Sequence, residues 1–485
     1  MARTARLVLS AVAGMGLLAG GVAPLASAAD PVPTNFIVVG PASGPLTATT
    51  TSITEAGGKV LQSWPQIGVV LAESDDADFA AELRGDRGVL AVGSSRAMAA
   101  KTAPDGDSDS GDPLGLGPGT SGGDDNDEAD FSKQWDMTMI GADKAHLVTD
   151  GSRDITVGVL DSGIDATHPD LAANVDPSQS VGCTNDGKPD TDPARWQPTT
   201  SSHGTHVAGT IAAARNGKGI VGVAPNVKLA SVKVVNDDGY IYPEYAICGF
   251  LWAADKGMDV TNNSYYIDPW GLWCRGDADQ KAIVTAVERS LAYSDRKNVV
   301  NVAAAGNSAW DLSKPITDTG SPNNGTPIER ETDKHCYDLP TEAKNVVTVS
   351  SVGPTTEKAY YSSYGNHVID VTAPGGDAWL DWNAEASKRE DTIYSTVPGG
   401  GYGWSQGTSM ASPHVAGVAA LIRSTHPEWN AARARRALSQ QAQQLSCPKL
   451  YDHTDDGKAD AVCEGPKGGG FFGAGLVDAH AAVTR

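Results

Sequence analysis

The sequence predicts an α/β protein, a parallel β-sheet with helices on both faces, preceded by a small α+β unit. Three observations carry that prediction. Across residues 131–485, short wholly apolar runs alternate with longer helical stretches, as expected for strands covered on both faces. Residues 34–100 hold shorter strand and helix signals of their own. Between the two, residues 101–130 carry nine acidic residues, one lysine and many Gly, Ser and Pro, which reads as a solvated linker open to proteolysis. The chain has 485 residues, 40% of them hydrophobic, which is ample for a buried core at roughly 100–200 residues per domain.

Residues 1–29 read as a secretory signal peptide. Arg3 and Arg6 make its positive start, 7–18 its apolar stretch, and Ala26-Ser27-Ala28 its small-residue cleavage pattern. Residues 36–39 then predict a strand, 60–72 one or two more, 78–83 a short helix, and 89–92 a closing strand. In the larger part, 155–160 is an apolar strand ending at Asp161, 207–214 a small-residue helix, 229–235 a strand and 246–256 a helix. Residues 299–304 and 346–349 are further strands, and 410–425 is a long apolar helix. Sites in such sheets form at the carboxyl ends of strands, where Asp161 sits and just past which Asn307 sits.

With 37 Lys and Arg against 59 Asp and Glu, the net charge is −22. That argues against nucleic acid or an anionic membrane as partner. No segment after residue 29 reaches the roughly 20 apolar residues a membrane helix needs. A secreted, extracellular monomer is expected. Its six cysteines, all beyond residue 29, predict three disulfides in an oxidising compartment. Six cysteines allow 15 pairings. Cys447–Cys463 is favoured because it closes a short local loop. The absence of a C-x-x-C pair argues against zinc or redox chemistry.

Three segments carry chemistry when taken together: Asp161-Ser162-Gly163-Ile164-Asp165, then Ser202-His203-Gly204-Thr205-His206, then Gly407-Thr408-Ser409-Met410-Ala411-Ser412-Pro413. Singly, each has an ordinary reading as a turn, a cap or a helix start. Together, and in the order Asp, His, Ser, they resemble the subtilisin-like serine proteases over about residues 134–445 and again at 473–477. That order differs from those of chymotrypsin-like enzymes and α/β-hydrolases. The resemblance implies that His203 accepts the proton of Ser409 as it attacks, that Asp161 orients His203, and that activity falls in acid as His203 protonates. It further implies that Asn307, at the end of Ala303-Ala304-Ala305-Gly306-Asn307, donates to the oxyanion, with the Ser409 N–H as second donor. Gly204 is expected to keep the backbone clear for substrate.

The resemblance also implies that a peptide adds as a strand between 238–241, with Gly239 and Tyr240, and 264–266, with Ser264, Tyr265 and Tyr266. Tyr266 stands where the family usually has Gly, which should reshape a pocket walled by Ala304, Ala305 and Gly306. No catalytic cofactor is expected. Calcium is expected for stability, on Asp170, Asn216 and the carbonyls of Ala214, Lys218 and Ile220. Two acidic loops, 186–192 and 452–460, are further calcium candidates. The reading is a secreted endopeptidase for protein or peptide substrates, with 30–100 its propeptide and partner, 101–130 the linker, and 131–485 the catalytic domain. The alternatives are a narrow-specificity processing enzyme, a catalytically dead binding protein of the same fold, and a 34–100 unit that inhibits other proteases.

Overall fold

In the N-terminal unit, alternation along each strand gives two apolar faces rather than one. Strand β1 (Thr34–Val39) is followed by helix α1 (Thr47–Glu55), strands β2 (Lys59–Trp64) and β3 (Val69–Ser74), helix α2 (Phe79–Leu83) and strand β4 (Ala91–Ser94). The sheet order is β2-β3-β1-β4, with Val38 opposite Val70 and Phe36 opposite Ala72. Phe36, Val38, Val70, Ala72 and Val92 form one cluster with Ile53, Phe79 and Leu83 of the two helices. Ile37, Val39, Val69 and Leu71 face the other way, into a cluster shared with the larger part.

This computed structural model describes residues 33–96, 128, 130–379, 388–465 and 468–485. The expected signal peptide and almost all of the linker lie outside the described residues. At the linker's end, Glu128 pairs with Arg215 at 3.2 Å and Asp130 with Lys133 at 2.8 Å. Helix α1 was not expected from the sequence. Its segment, TATTTSITE, is rich in β-branched threonine, which disfavours helix. Burial of Thr49 and Ile53 outweighs that propensity, while Thr50 and Thr54 turn their hydroxyls back onto carbonyls four residues earlier. The closing strand lies at 91–94 rather than 89–92, because Val89 ends a turn bonded to Asp86.

The larger part is built on eight strands. In chain order the elements that matter here are β5 (Thr156–Asp161), β6 (Val181–Asn185), β7 (Lys188–Asp190), α3 (His203–Ala212), β8 (Lys228–Lys233), α4 (Pro243–Asp255), β9 (Val260–Asn263), α5 (Gln280–Arg296), β10 (Val300–Ala304), β11 (Val346–Val352), β12 (Val371–Pro374) and α6 (Thr408–Thr425). The sheet order is β12-β11-β10-β9-β5-β8-β6-β7, parallel throughout except at β6–β7. Val157 and Val159 join the core of α3 and α6, while Leu160 joins that of α4 and α5. Strand β5 has β8 on one side and β9 on the other, so the chain order reverses there. Its carboxyl end opens the crevice where such folds place ligands.

The N-terminal sheet docks on α4 and α5. Arg289 Nη1 donates to the carbonyls of Gly40, Ile67 and Gly68 at 2.8, 3.1 and 3.3 Å. Arg84 pairs with Asp279, and Arg96 with buried Glu244 at 2.6 Å while its guanidinium lies 3.2 Å over the Tyr242 ring. The cysteines form three disulfides, Cys183–Cys248, Cys274–Cys336 and the expected Cys447–Cys463.

Candidate active site

Asp161 is the last residue of β5, and His203 opens α3 facing it. His203 Nδ1 lies 2.8 and 2.9 Å from the two Asp161 oxygens, and both side chains are buried. Asp161 Oδ1 also accepts the Ser162 N–H at 2.7 Å, and Ser162 Oγ accepts the Gly204 N–H at 3.0 Å. The carboxylate and the helix start are therefore fixed to each other. Gly204 permits this approach. A Cβ there would meet Gly163 O at 2.5 Å and Asp161 Oδ1 at 3.0 Å.

Ser409 sits in the first turn of α6, and a proline later in that helix explains part of its setting. Pro413 has no N–H, so the Ser409 carbonyl lacks its usual helical donor. Ser264 Oγ supplies one instead at 2.9 Å. Ser409 Oγ donates in turn to the Ser264 carbonyl at 3.2 Å. Asn262 completes the support, donating to Ser264 Oγ at 2.9 Å and accepting from Ser412 Oγ at 2.7 Å. A second buried pair, His414 with Asp136 at 2.8 Å, ties α6 to the segment 135–139.

Asn307 follows β10. Its Oδ1 accepts from both the N–H and the hydroxyl of Thr408, each at 2.9 Å. A backbone N–H can only donate, so the amide must turn its oxygen to Thr408 and its Nδ2 outward. The Ser409 N–H has no acceptor among the described residues, as first-turn donors commonly do not. The two donors flank one point: a Cβ on Gly407 would lie 3.4 Å from Asn307 Nδ2 and 3.6 Å from Ser409 N. Gly407, at φ +148°, leaves that space open.

Beside Ser409 lies a narrow cavity of about 20 Å³, lined by Tyr265, Tyr266, Ala304, Gly306, Asp338 and Thr408. Ala305 and Ser264 do not line it. Ala305 is fully buried, with its N–H bonded to Val349. Tyr266 is half-buried and accepts from Asn323 Nδ2 at 2.8 Å. Gly239 and Tyr240 lie apart from this cavity, in a turn capped by Asn236 Oδ1. Asp268 holds the neighbouring Ile241 to the segment after β9. Sequence reasoning missed Thr408 as a clamp and Asp338 altogether. Asp338 sits in an irregular stretch two residues after Cys336, with no motif around it.

The expected calcium residues are adjacent but arranged for one another. Asp170 accepts from Asn216 Nδ2 at 3.1 Å, the Ile220 N–H at 3.1 Å and Tyr402 OH at 2.8 Å. Asn216 Oδ1 is taken by the Lys218 N–H at 2.9 Å. These oxygens face donors, so the set as it stands does not fit a cation. The acidic loops are likewise turned inward. Asp192 caps a short helix, and Asp452 and Asp460 accept backbone N–H groups. Among the described residues no group of three or more His, Cys, Asp or Glu is set to hold a metal.

A buried Asp–His pair, a serine at a helix start and two donors flanking one point, all at the crevice of a parallel sheet, define a serine hydrolase. The chain belongs to the Subtilase family, which matches residues 152–464, and it is a serine-type endopeptidase. It is 34% identical over 323 residues to Subtilisin NAT of Bacillus subtilis subsp. natto, covering 66% of this chain and 68% of that one. It is 34% identical over 323 residues to a subtilisin of Bacillus pumilus, covering 66% and 95%. By structure it is similar to the epidermin leader peptide processing serine protease of Staphylococcus aureus, with TM-score 0.67 and 22% identity over 93% of this chain and 98% of that one. It is also similar to a lanthipeptide protease, with TM-score 0.55 and 25% identity over 73% and 94%.

Proposed function

We propose that this chain is a secreted endopeptidase, made as a precursor that processes itself, with Asp161, His203 and Ser409 as its triad. The observation that carries the reading is the buried His203–Asp161 contact, facing the crevice in which Ser409 and Asn307 also lie. Ser409 Oγ attacks the substrate carbonyl as its proton passes to His203 Nε2. Asp161 holds Nδ1, which makes Nε2 the proton-accepting nitrogen, and stabilises the imidazolium. Asn307 Nδ2 and the Ser409 N–H take the negative oxygen. His203 then protonates the leaving amine, and water releases the acyl group by the same route in reverse. Substrate would lie between 238–241 and 264–266. No cofactor is proposed for catalysis, and the inward hydrogen bonding of Asp170 and Asn216 leaves calcium no proposed role there.

The unit of residues 34–96 is proposed as the propeptide. It covers α4 and α5 through its second apolar face. The likeness to the Staphylococcus structure leaves about 7% of 485 residues unmatched, roughly 34, which is fewer than the unit holds. The shared fold therefore extends into it. A second reading, a processing enzyme of narrow specificity, is favoured by Tyr266 at the cavity and by the likeness to a lanthipeptide protease.

The test compares secreted wild type with Ser409→Ala by mass analysis and casein hydrolysis. Wild type trimmed near residue 130 and active, beside a full-length inert mutant, supports the reading. Identical trimming of both, with no hydrolysis by either, overturns it.

A further inference from the structure

We propose that Asp338 is a specificity-determining residue that selects lysine or arginine immediately before the cut. This rests on Ser409 being the nucleophile, and it names the substrate class of that site. Asp338 lines the cavity beside Ser409, yet it is only 5% exposed. Its Oδ2 lies 3.3 Å from where a Cβ on Gly306, another lining residue, would stand. Its Oδ1 is buried with no hydrogen-bond partner among the described residues, and the nearby Thr341, which favours the charged form, donates its hydroxyl to the Ala304 carbonyl at 2.7 Å. Among the described residues no lysine, arginine or histidine pairs with it.

A buried carboxyl with an unsatisfied oxygen destabilises the free protein, so packing alone does not account for it. Its nearest charged neighbour makes matters worse. Glu342 Oε2 accepts the Asp338 N–H at 2.8 Å, placing a second carboxyl beside the first. Burial, and then the charge of Glu342, raise the Asp338 carboxyl well above the usual carboxylate range, and burial pushes Glu342 up to about 7. These shifts favour the protonated acid in the free protein, and a cation brought by the substrate opposes them by favouring the carboxylate. Tyr265 and Tyr266 in the cavity's lining are aromatic, a surface that attracts cations, while its free space of about 20 Å³ holds little more than a water, so a basic side chain must widen it on entry. A carboxylate at the base of this pocket is how other serine proteases select basic residues.

Matched fluorogenic peptides, differing only in Arg, Lys, Phe, Leu or Glu before the cut, test this on the matured enzyme. Active sites are counted with a fluorophosphonate, which labels a reactive serine whatever the pocket prefers. The expected result is kcat/KM for Arg or Lys at least about tenfold above Phe or Leu. Asp338→Asn should lower the basic substrates roughly 100-fold and reverse that order. Should Asp338→Asn fail to fold, wild type alone suffices: benzamidine, a small planar cation, should compete with peptide. Labelled wild type that prefers Phe or Leu and ignores benzamidine overturns the specificity while leaving the protease reading intact. No labelling at Ser409 overturns both.

Discussion

Thr408→Val isolates the orientation of Asn307, the proposed oxyanion donor. The Thr408 hydroxyl donates to Asn307 Oδ1 at 2.9 Å and accepts the Gly306 N–H at 3.1 Å, while the Thr408 N–H donates to the same Oδ1. Valine keeps the shape and removes the hydroxyl. One of two bonds orienting the amide is lost, and the Gly306 N–H loses its acceptor. Removing an oxyanion donor outright costs about 2.7–4 kcal/mol, a magnitude that comes from a subtilisin and not from this chain. Here the amide stays in place with one tether instead of two. The loss should therefore be near one net hydrogen bond, about 1–1.5 kcal/mol, or roughly tenfold in kcat with KM nearly unchanged. The assay is peptide hydrolysis normalised by active-site titration, run as a cycle with Asn307→Ala. In the Asn307→Ala background Thr408→Val should add little, because the group it orients is gone. A tenfold loss in both backgrounds, or a raised KM at constant kcat, would refute the reasoning.

Gly407→Ala should abolish turnover while leaving the Asp161–His203 pair undisturbed, because its methyl stands against both Asn307 Nδ2 and the Ser409 N–H; appreciable kcat in that variant would count against those two donors. For calcium, the inward hydrogen bonding of Asp170 and Asn216 predicts the same thermal midpoint with and without chelator, and a chelator-induced drop of several degrees would reinstate them as ligands. Burial, then the charges of His203 and His414, hold His206 down to about 4, so the folded state stays neutral where an unfolded chain takes a proton below about 6.5. That contribution is complete above pH 6.5 and drains as pH falls towards 4, by up to about 3 kcal/mol. Wild type should lose stability more steeply than His206→Gln across that window, and parallel slopes would contradict it. In the N-terminal unit, Val38→Lys should unfold the unit, whereas Ile37→Lys should weaken its hold on α4 and α5. Limited proteolysis, with fragments identified by mass, separates the two.

The parallel sheet was legible because strands such as β5 and β10 are apolar on both faces, and few other elements produce such runs. The residues of the triad motifs and Asn307 were legible because their neighbours are constrained. Gly204 must approach Asp161, and Gly407 must leave room between two donors. Helix α1 was illegible because its stability comes from burial of Thr49 and Ile53 and not from local propensity. Helix α3 begins at His203, earlier than the apolar pattern suggested, because its first turn is polar and faces Asp161. Asp338 was illegible for a different reason. Its surroundings are assembled from β10, the segment after β9 and the start of α6, so its meaning is wholly tertiary.

The two-faced sheet of the N-terminal unit has an evolutionary and a kinetic consequence. Odd positions of β1 meet the partner surface and even positions meet the unit's own helices, so binding strength and internal stability can drift independently, one residue apart. The same interleaving removes a safeguard. Slipping β1 by one residue would exchange one apolar set for another, and polarity alone would not penalise the error. The correct pairing must be chosen by shape, through features such as Gly93, where any Cβ would collide with the backbone of Asp279. In effect, the surface on which the unit docks proofreads its register.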